Sequence, residues 1–184
     1  MPFADPWFWA FLSALGWLLA ACVVASPLGR HTAFGLLALL VMEAPRVALV
    51  LPFVSQPRFP EAPVLAVVGL GILAVSLVLA SPALRIAGLT RPEATETLRT
   101  DGLYSVVRHP IMLCAALWPL GLSLLFGSVV GAALTPVWFL LAWLFTFIEE
   151  EPLLREFGEA YSRYQRRVPR LVPRVAFIGR THAG

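Results

Sequence analysis

Five apolar runs separated by short polar segments dominate the chain: residues 7–25, 33–54, 63–80, 111–126 and 129–148. A helix rises about 1.5 Å per residue, so a run of roughly 16 to 20 apolar residues approaches the hydrocarbon thickness of a bilayer. Only the second run contains charged side chains. The pattern predicts an all-α integral membrane bundle of five transmembrane helices, in a single membrane domain that takes in residues 1–184.

Composition supports this class of protein and limits its partners. The 184 residues are 59% hydrophobic and 14% charged, with a net charge of only +3. Such a small positive charge gives no reason to expect a nucleic-acid partner. Residues 1–5 lack the basic start of a secretory signal, so we expect the first apolar run to remain as a span. The two cysteines are too few for a disulfide framework.

The distribution of arginines predicts an orientation. Twelve of the fourteen basic residues fall on one side of a five-span topology, in the segment after the first span, the segment after the third span and the C-terminal tail. Cytoplasmic segments of membrane proteins are enriched in Arg and Lys. We therefore expect the N-terminus outside and the C-terminal tail in the cytoplasm, where its arginines would meet anionic lipid.

The second apolar run carries an acidic and a basic residue within the predicted span. Glu43 and Arg46 are three positions apart, so they share one helix face and can form an ion pair. Charged residues inside a membrane often mark functional sites, but a pair that only joins helices fits the pattern as well. Pro45 lies between them in sequence. It has no amide hydrogen to donate within the helix, which predicts a kink.

Charged residues also flank the last two apolar runs. Arg108 and His109 stand just before the fourth run, and Glu149 and Glu150 follow the fifth. A helix that crosses and a helix that returns would place these segments at the same depth. Neighbouring carboxylates at a membrane edge are costly unless a cation meets them. The spacing therefore predicts that the two segments meet.

The chain beyond the fifth run is polar but periodic. One face of a predicted helix collects five residues: Glu150, Leu154, Phe157, Tyr161 and Tyr164. This pattern predicts a C-terminal cytoplasmic amphipathic helix that covers the end of the hairpin. Gly158 within it indicates either close packing or a bend.

The same segments carry a resemblance. The motif Gly102-x-Tyr104-x-x-x-Arg108-His109-Pro110, followed by Glu149-Glu150-x-x-Leu153, Phe157-Gly158-x-x-Tyr161 and Tyr164, resembles the isoprenylcysteine carboxyl methyltransferase family. That family shares its C-terminal half with phospholipid methyltransferases. The resemblance covers about residues 98–173. Met112 and Cys114 depart from it, since the family usually has Tyr and Gly there.

The resemblance implies methyl transfer from S-adenosylmethionine to a lipophilic or membrane-delivered acceptor, such as an isoprenylcysteine carboxylate, a phospholipid amine or a small thiol. Membrane lipids would then be further partners. Arg108 and Glu149 are the implied catalytic residues, with Arg108 orienting an anionic acceptor or neutralising Glu149. The implied cofactor-binding residues are Tyr104, His109, Pro110, Met112, Leu113, Glu150 and Leu153.

Two other functions stay open at this point. Membrane reductases with a related C-terminal core use a nicotinamide cofactor, and the departures at Met112 and Cys114 leave room for such a change. The alternative is a non-catalytic membrane module with a vestigial site. No metal site is expected, because the three histidines lack ligand spacing. The pattern gives no oligomeric state.

Overall fold

The fold is all-α, as predicted. The computed structural model describes residues 2–26, 32–86 and 98–174, and apart from one isolated bridge these residues contain no β-structure. Short 3-10 turns occur at Pro2–Ala4 and Gly102–Ser105. The α-helices are α1 (Pro6–Ala25), α2 (Thr32–Val50), α3 (Pro63–Ile86), α4 (Pro110–Leu125), α5 (Val129–Ala133) and α6 (Thr135–Arg167). The turn after the first run and most of the 81–100 connector lie outside the described residues.

The first four apolar runs each form one helix, with corrected ends. Asp5 caps α1 by accepting a hydrogen bond from the Trp7 amide at 2.9 Å. Helix α2 continues through Pro45 but ends at Val50, before Pro52, because a residue preceding proline is disfavoured in the helical conformation. Helix α3 extends beyond the predicted residue 80 to Ile86.

The fifth apolar run is not one helix, and the prediction of a continuous 129–148 helix was wrong. The short α5 ends at Ala133 and α6 starts at Thr135. Pro136 has no amide hydrogen to donate to the carbonyl of Ala132, so the helix stops and restarts there. Proline is well tolerated in the first turn of the new helix.

The predicted C-terminal amphipathic helix is the continuation of α6 rather than a separate element. Within α6, Gly158 adopts φ +50° and ψ −119°, which interrupts the helical conformation. A side chain there would meet nothing within 4 Å, so this glycine makes a bend and not a close contact. The bend shifts the helical phase. Tyr161 and Tyr164 are buried as predicted, whereas Leu154 is exposed.

Helix α3 packs on α4, α1 on α2, and α4 on α6. The contact between α3 and α4 depends on two glycines, since a Cβ at Gly69 would lie 2.7 Å from the carbonyl oxygen of Gly121. Gly69 therefore serves helix packing, whereas a Cβ at Gly71 would meet nothing within 4 Å.

Arg58 fixes the end of the bundle that lies away from the charged segments at residues 108–109 and 149–150. Its Nη1 donates to the carbonyls of Val50 at 3.0 Å and Phe126 at 2.8 Å, and its Nη2 donates to Leu51 at 2.8 Å. The end of α2 and the end of α4 therefore lie together. The C-terminal end of α4 lies at Arg58, so its N-terminal end, with residues 108–110, lies at the opposite end of the bundle.

Two helices of the described residues are long and apolar enough to cross a membrane, with the spans at Pro6–Val23 and Pro63–Ser81. Helix α4 is apolar but shorter. Helix α3 exposes a row of large apolar side chains to its surroundings: Val64, Val67, Val68, Leu70, Val75, Leu77 and Val78. An apolar face of this length is typical of contact with lipid.

Candidate active site

The start of α4 and the middle of α6 meet through an ion pair. Pro110 occupies the first turn of α4, and Arg108 and His109 directly precede it. The Nε and Nη2 atoms of Arg108 each lie 2.9 Å from Oε1 of Glu150. The prediction that the two charged segments meet is confirmed.

His109 bridges both carboxylates of the acidic segment. Its Nδ1 lies 3.0 Å from Oε2 of Glu149, and its Nε2 lies 3.0 Å from Oε1 of Glu150. Burial by itself lowers the pKa of the imidazole, but the hydrogen bonds to the two carboxylates outweigh it and raise the pKa above its usual value. Only the imidazolium can donate to both glutamates at once, so the charged form fits this geometry.

The Glu150 carboxylate is only 3% exposed and accepts hydrogen bonds from four side chains. Besides Arg108 and His109, Gln165 donates to Oε2 at 3.0 Å and Arg170 at 2.6 Å. Burial alone raises the pKa of Glu150, but the hydrogen bonds from His109 and Arg108 reverse this and lower it to about 2. Glu150 is thus a buried anion whose partners all belong to the protein.

The chain after α6 folds back onto the start of α4 and closes the site. The amides of Arg108 and His109 donate to the carbonyls of Pro169 at 2.9 Å and Arg170 at 3.1 Å. Nη1 of Arg108 also donates to the carbonyl of Val168 at 2.6 Å. The tail from residue 168 to 171 is therefore part of the site.

Arg170 corrects the expectation that the C-terminal arginines face lipid. Its guanidinium binds Glu150 and lies 3.8 Å from the ring centre of Phe147. By contrast, Arg166 is exposed and pairs with Glu159 on the surface. Sequence spacing groups these arginines together, whereas the turn after α6 directs Arg170 inwards.

A second correction concerns the partner of Arg108. We expected this arginine to orient an anionic acceptor or to neutralise Glu149. In the structure it pairs with Glu150, and His109 binds Glu149, so only the second of these two roles is corrected. Gln165 and Arg170 were missed as members of the cluster. Gln165 follows Tyr161 by four residues and so continues the predicted buried face, which is the signal that identifies it.

The remaining predicted residues divide into two groups. The carbonyl of Tyr104 accepts a hydrogen bond from the Tyr164 hydroxyl at 2.6 Å, and Pro110 adjoins His109, so both border the ion cluster. Met112 and Leu113 pack in the core between the helices, and Leu153 packs with the buried tyrosines of the tail. Within the described residues, none of these three side chains forms a hydrogen bond or an ion pair with the charged groups, although the Leu113 amide donates to the His109 carbonyl at 3.1 Å.

Comparison with known proteins assigns the family. A model of the phospholipid methyltransferase family matches residues 64–160, a little over half of the chain, and this match contains the charged cluster up to Glu150. The chain belongs to the phospholipid methyltransferase family. Membership of this family favours a membrane methyltransferase over the reductase and non-catalytic alternatives.

Two of three curated relatives are methyltransferases by name. The chain is 40% identical over 88 residues to methanethiol S-methyltransferase 2 of Bradyrhizobium diazoefficiens, covering 47% of this chain and 32% of the relative. It is 35% identical over 82 residues to the protein-S-isoprenylcysteine O-methyltransferase of Schizosaccharomyces pombe, covering 42% and 34%. It is 33% identical over 110 residues to the cobalt-zinc-cadmium resistance protein CzcN of Cupriavidus metallidurans, covering 58% and 49%.

The matched segments thus span about a third of the first two relatives and about half of the third. No solved structure matches the chain.

Proposed function

We propose that the chain transfers a methyl group from S-adenosylmethionine to a lipophilic or membrane-delivered acceptor. The observation that carries this proposal is the bridge from His109 to Glu149 and Glu150, at the junction of α4 and α6 within the family's matched segment. S-adenosylmethionine carries a sulfonium and an ammonium group, both cations that an acidic site can hold.

The two carboxylates differ in what they offer such a cofactor. Within the described residues, the Glu149 side chain is 31% exposed and accepts a hydrogen bond from His109 alone, through Oε2. Both carboxylate oxygens of Glu150 already accept hydrogen bonds from protein side chains. Glu149 would therefore hold the cationic part of the cofactor. The ring of Tyr104 already has the Arg99 guanidinium 5.9 Å from its centre, so Tyr104 would border the cofactor rather than hold its charge. The residues present fit the cofactor.

The other predicted residues have supporting roles in this proposal. Arg108 keeps Glu150 charged and in place, and Glu150 in turn holds His109 against Glu149. Pro110 fixes the backbone at the start of α4, while Met112, Leu113 and Leu153 form the apolar wall behind the charged groups. Arg108 and Glu150 are then positioning residues, and Glu149 contacts the cofactor.

When bound, the cofactor would supply a methyl group on a positively charged sulfur, which makes that carbon an electrophile for the acceptor's nucleophilic atom, with the neutral thioether as the leaving group. The protein contributes position and electrostatics to such a reaction. His109 fixes the orientation of the Glu149 carboxylate, and Glu150 anchors the opposite side of the imidazole. The tail at residues 168–171 covers the cluster and excludes water from it.

We place this site at the cytoplasmic face of a single membrane domain. The five spans would be formed by α1, α2, α3, α4 and the apolar part of α6, with the N-terminus outside. The arginine distribution supports this orientation. The acceptor would reach the site laterally between helices, since the exposed apolar face of α3 indicates contact with lipid.

Binding of the cofactor tests the proposal. Isothermal titration of the purified protein in lipid nanodiscs should detect binding of S-adenosylmethionine and of its demethylated product. Glu149→Gln should weaken binding strongly, whereas Glu151→Gln should not, because Glu151 is exposed and pairs with Arg155 on the surface. If neither ligand binds the unchanged protein, the proposal is wrong. A thermal shift with NADPH instead would indicate the reductase.

A further inference from the structure

A second cluster of charged and aromatic side chains lies inside the bundle, separate from the site at the start of α4. Arg46 on α2 is 1% exposed and forms an ion pair with Glu43. Its Nη1 donates to the carbonyl of Ala115 on α4 at 2.6 Å. The sequence left the role of this pair open between function and helix pairing. The contact with Ala115 shows that the pair does join two helices.

Three tryptophans surround the Arg46 guanidinium. The ring centres of Trp17 on α1, Trp118 on α4 and Trp138 on α6 lie 5.3, 5.5 and 5.8 Å from its central carbon. Trp118 also faces the Glu43 carboxylate. Four helices thus contribute to one polar cluster, which we call the intramembrane polar site.

The intramembrane polar site has unused hydrogen-bonding capacity. Among the described residues, four buried side-chain atoms have no hydrogen-bond partner, and all four belong to this site: Arg46 Nε, Glu43 Oε2, Trp17 Nε1 and Trp138 Nε1. Leaving such an atom unpaired in a buried position costs about 1–3 kcal/mol. A cluster that served only to join helices would gain nothing from three further donors and one further acceptor. Their concentration in one place points to a ligand.

The free atoms define the chemistry of that ligand. The ion pair is neutral as a whole, so an added net charge would remain uncompensated in an apolar interior. One free acceptor and three free donors match a neutral group with one acidic hydrogen and several lone pairs. A thiol or a protonated carboxyl group has this character. An ionised carboxylate would face Glu43 with like charge, and the protonated amine of a phospholipid carries a net charge and has no lone pair to accept a hydrogen bond.

We propose that the intramembrane polar site binds the protic end of the methyl acceptor. The hydrogen of the thiol or carboxyl group would be donated to Glu43 Oε2, and its lone pairs would accept from Arg46 Nε and the two indoles. This inference rests on the proposed methyltransferase function. Ala115 follows His109 by six residues, so the site lies about 9 Å further along α4, on the apolar side of the cofactor cluster.

Trp17→Phe and Trp138→Phe test the proposal most directly. Each change keeps an aromatic ring in the bundle and removes a free N–H, so it breaks no hydrogen bond in the unliganded protein. Trp143→Phe is the matched control, because Trp143 lies on α6 with Trp138 but is exposed. The two probes are ¹³C-methyl methanethiol, for the thiol source, and S-farnesylcysteine, for the carboxyl source.

Probe binding is measured by NMR in nanodiscs without S-adenosylmethionine, and cofactor affinity is measured separately. Each tryptophan change in the site should weaken binding of one probe about three- to tenfold, which corresponds to loss of one buried hydrogen bond. The affinity of Trp17→Phe and Trp138→Phe for S-adenosylmethionine should equal that of the control, Trp143→Phe. The probe that responds identifies the acceptor class.

Two results would overturn the proposal: neither probe binds the unchanged protein, or both probes bind the site variants as tightly as the control. Failure of the cofactor to bind is a different result, which bears on the proposed function alone. The unchanged protein provides a further test if a tryptophan change unfolds the bundle. On addition of the responding probe, the indole N–H resonances of Trp17 and Trp138 should shift, whereas that of the exposed Trp143 should not.

Discussion

Arg108 and Glu150 lie 42 residues apart in sequence, and two guanidinium nitrogens of the arginine each lie 2.9 Å from the same carboxylate oxygen. This pair joins the start of α4 to the middle of α6. Both side chains are nearly inaccessible, at 8% and 5% exposure. A buried ion pair of this kind is costly to break from one side, because the remaining charge loses its partner. The main role of this pair is therefore to stabilise the site.

Neighbouring glutamates should accordingly respond differently to the same change. Glu150→Gln leaves Arg108, Arg170 and His109 around a neutral amide, so we expect destabilisation of about 3–5 kcal/mol. Glu149→Gln removes one partly exposed partner of His109 and should cost about 1 kcal/mol. Thermal and chemical unfolding in one detergent measure both variants, with Glu151→Gln as the surface control.

Cofactor binding completes this comparison. In our proposal, Glu149→Gln reduces affinity for S-adenosylmethionine in a protein that remains folded, whereas Glu150→Gln reduces affinity and stability together. A Glu150→Gln protein with unchanged stability and unchanged affinity would show that the buried cluster contributes neither to stability nor to cofactor binding.

The tail after α6 gives a second prediction. Arg170→Gln removes the 2.6 Å hydrogen bond to Glu150 and the contact with Phe147, so it should lower the melting temperature equally in neutral and anionic lipid. Arg167 is exposed in the same segment. Arg167→Gln should leave the melting temperature unchanged in detergent. An Arg170→Gln effect seen only in anionic lipid would restore the lipid interpretation of this arginine.

The sequence was sufficient for the first four apolar helices and for the meeting of Arg108 and His109 with the acidic segment. Runs without charge predict helices because only a helix satisfies the backbone in an apolar environment. Two uncharged runs of similar length also bring their flanking residues together. These arguments depend on the composition and the length of each apolar run, and both can be read directly from the sequence.

The details that failed depend on local backbone and on tertiary contacts. The restart of the helix at Pro136 and the bend at Gly158 change helical phase, and phase decides whether Leu153 or Leu154 faces inwards. The identity of the Glu150 partners depends on where the chain turns after α6. Arg170 looks like its neighbours in sequence, and only the returning tail distinguishes it.

Gly158 provides a third prediction. Its φ of +50° with a ψ of −119° is unfavourable for residues with a Cβ, by about 1–3 kcal/mol, so Gly158→Ala should destabilise the protein by that amount and displace the tail. Gly71→Ala is the matched control. Gly71 lies within α3 and a Cβ there meets nothing, so alanine should be neutral or stabilising by up to about 1 kcal/mol. Unfolding measurements that rank the two changes in the opposite order would contradict the bend.

The last prediction concerns pH and follows from the bridge between His109 and the two carboxylates. The folded pKa of His109 is raised above 6.5, so its contribution to stability is complete below pH 6.5 and is lost as the pH rises through the folded pKa. The folded pKa of Glu150 is lowered from 4.5 to about 2, so its contribution is complete above pH 4.5 and is lost as the pH falls towards 2.

The cluster should therefore stabilise the protein most between about pH 4.5 and 6.5, and stability should decline towards alkaline pH as the imidazolium loses its proton. His109→Gln cannot carry this charge, so its unfolding free energy should be lower at pH 6 and should change less between pH 6 and pH 9. Unfolding of both proteins across this range, in one detergent and at one ionic strength, measures the difference. Curves that stay parallel would mean that His109 is neutral in the folded protein and donates to only one of the two glutamates.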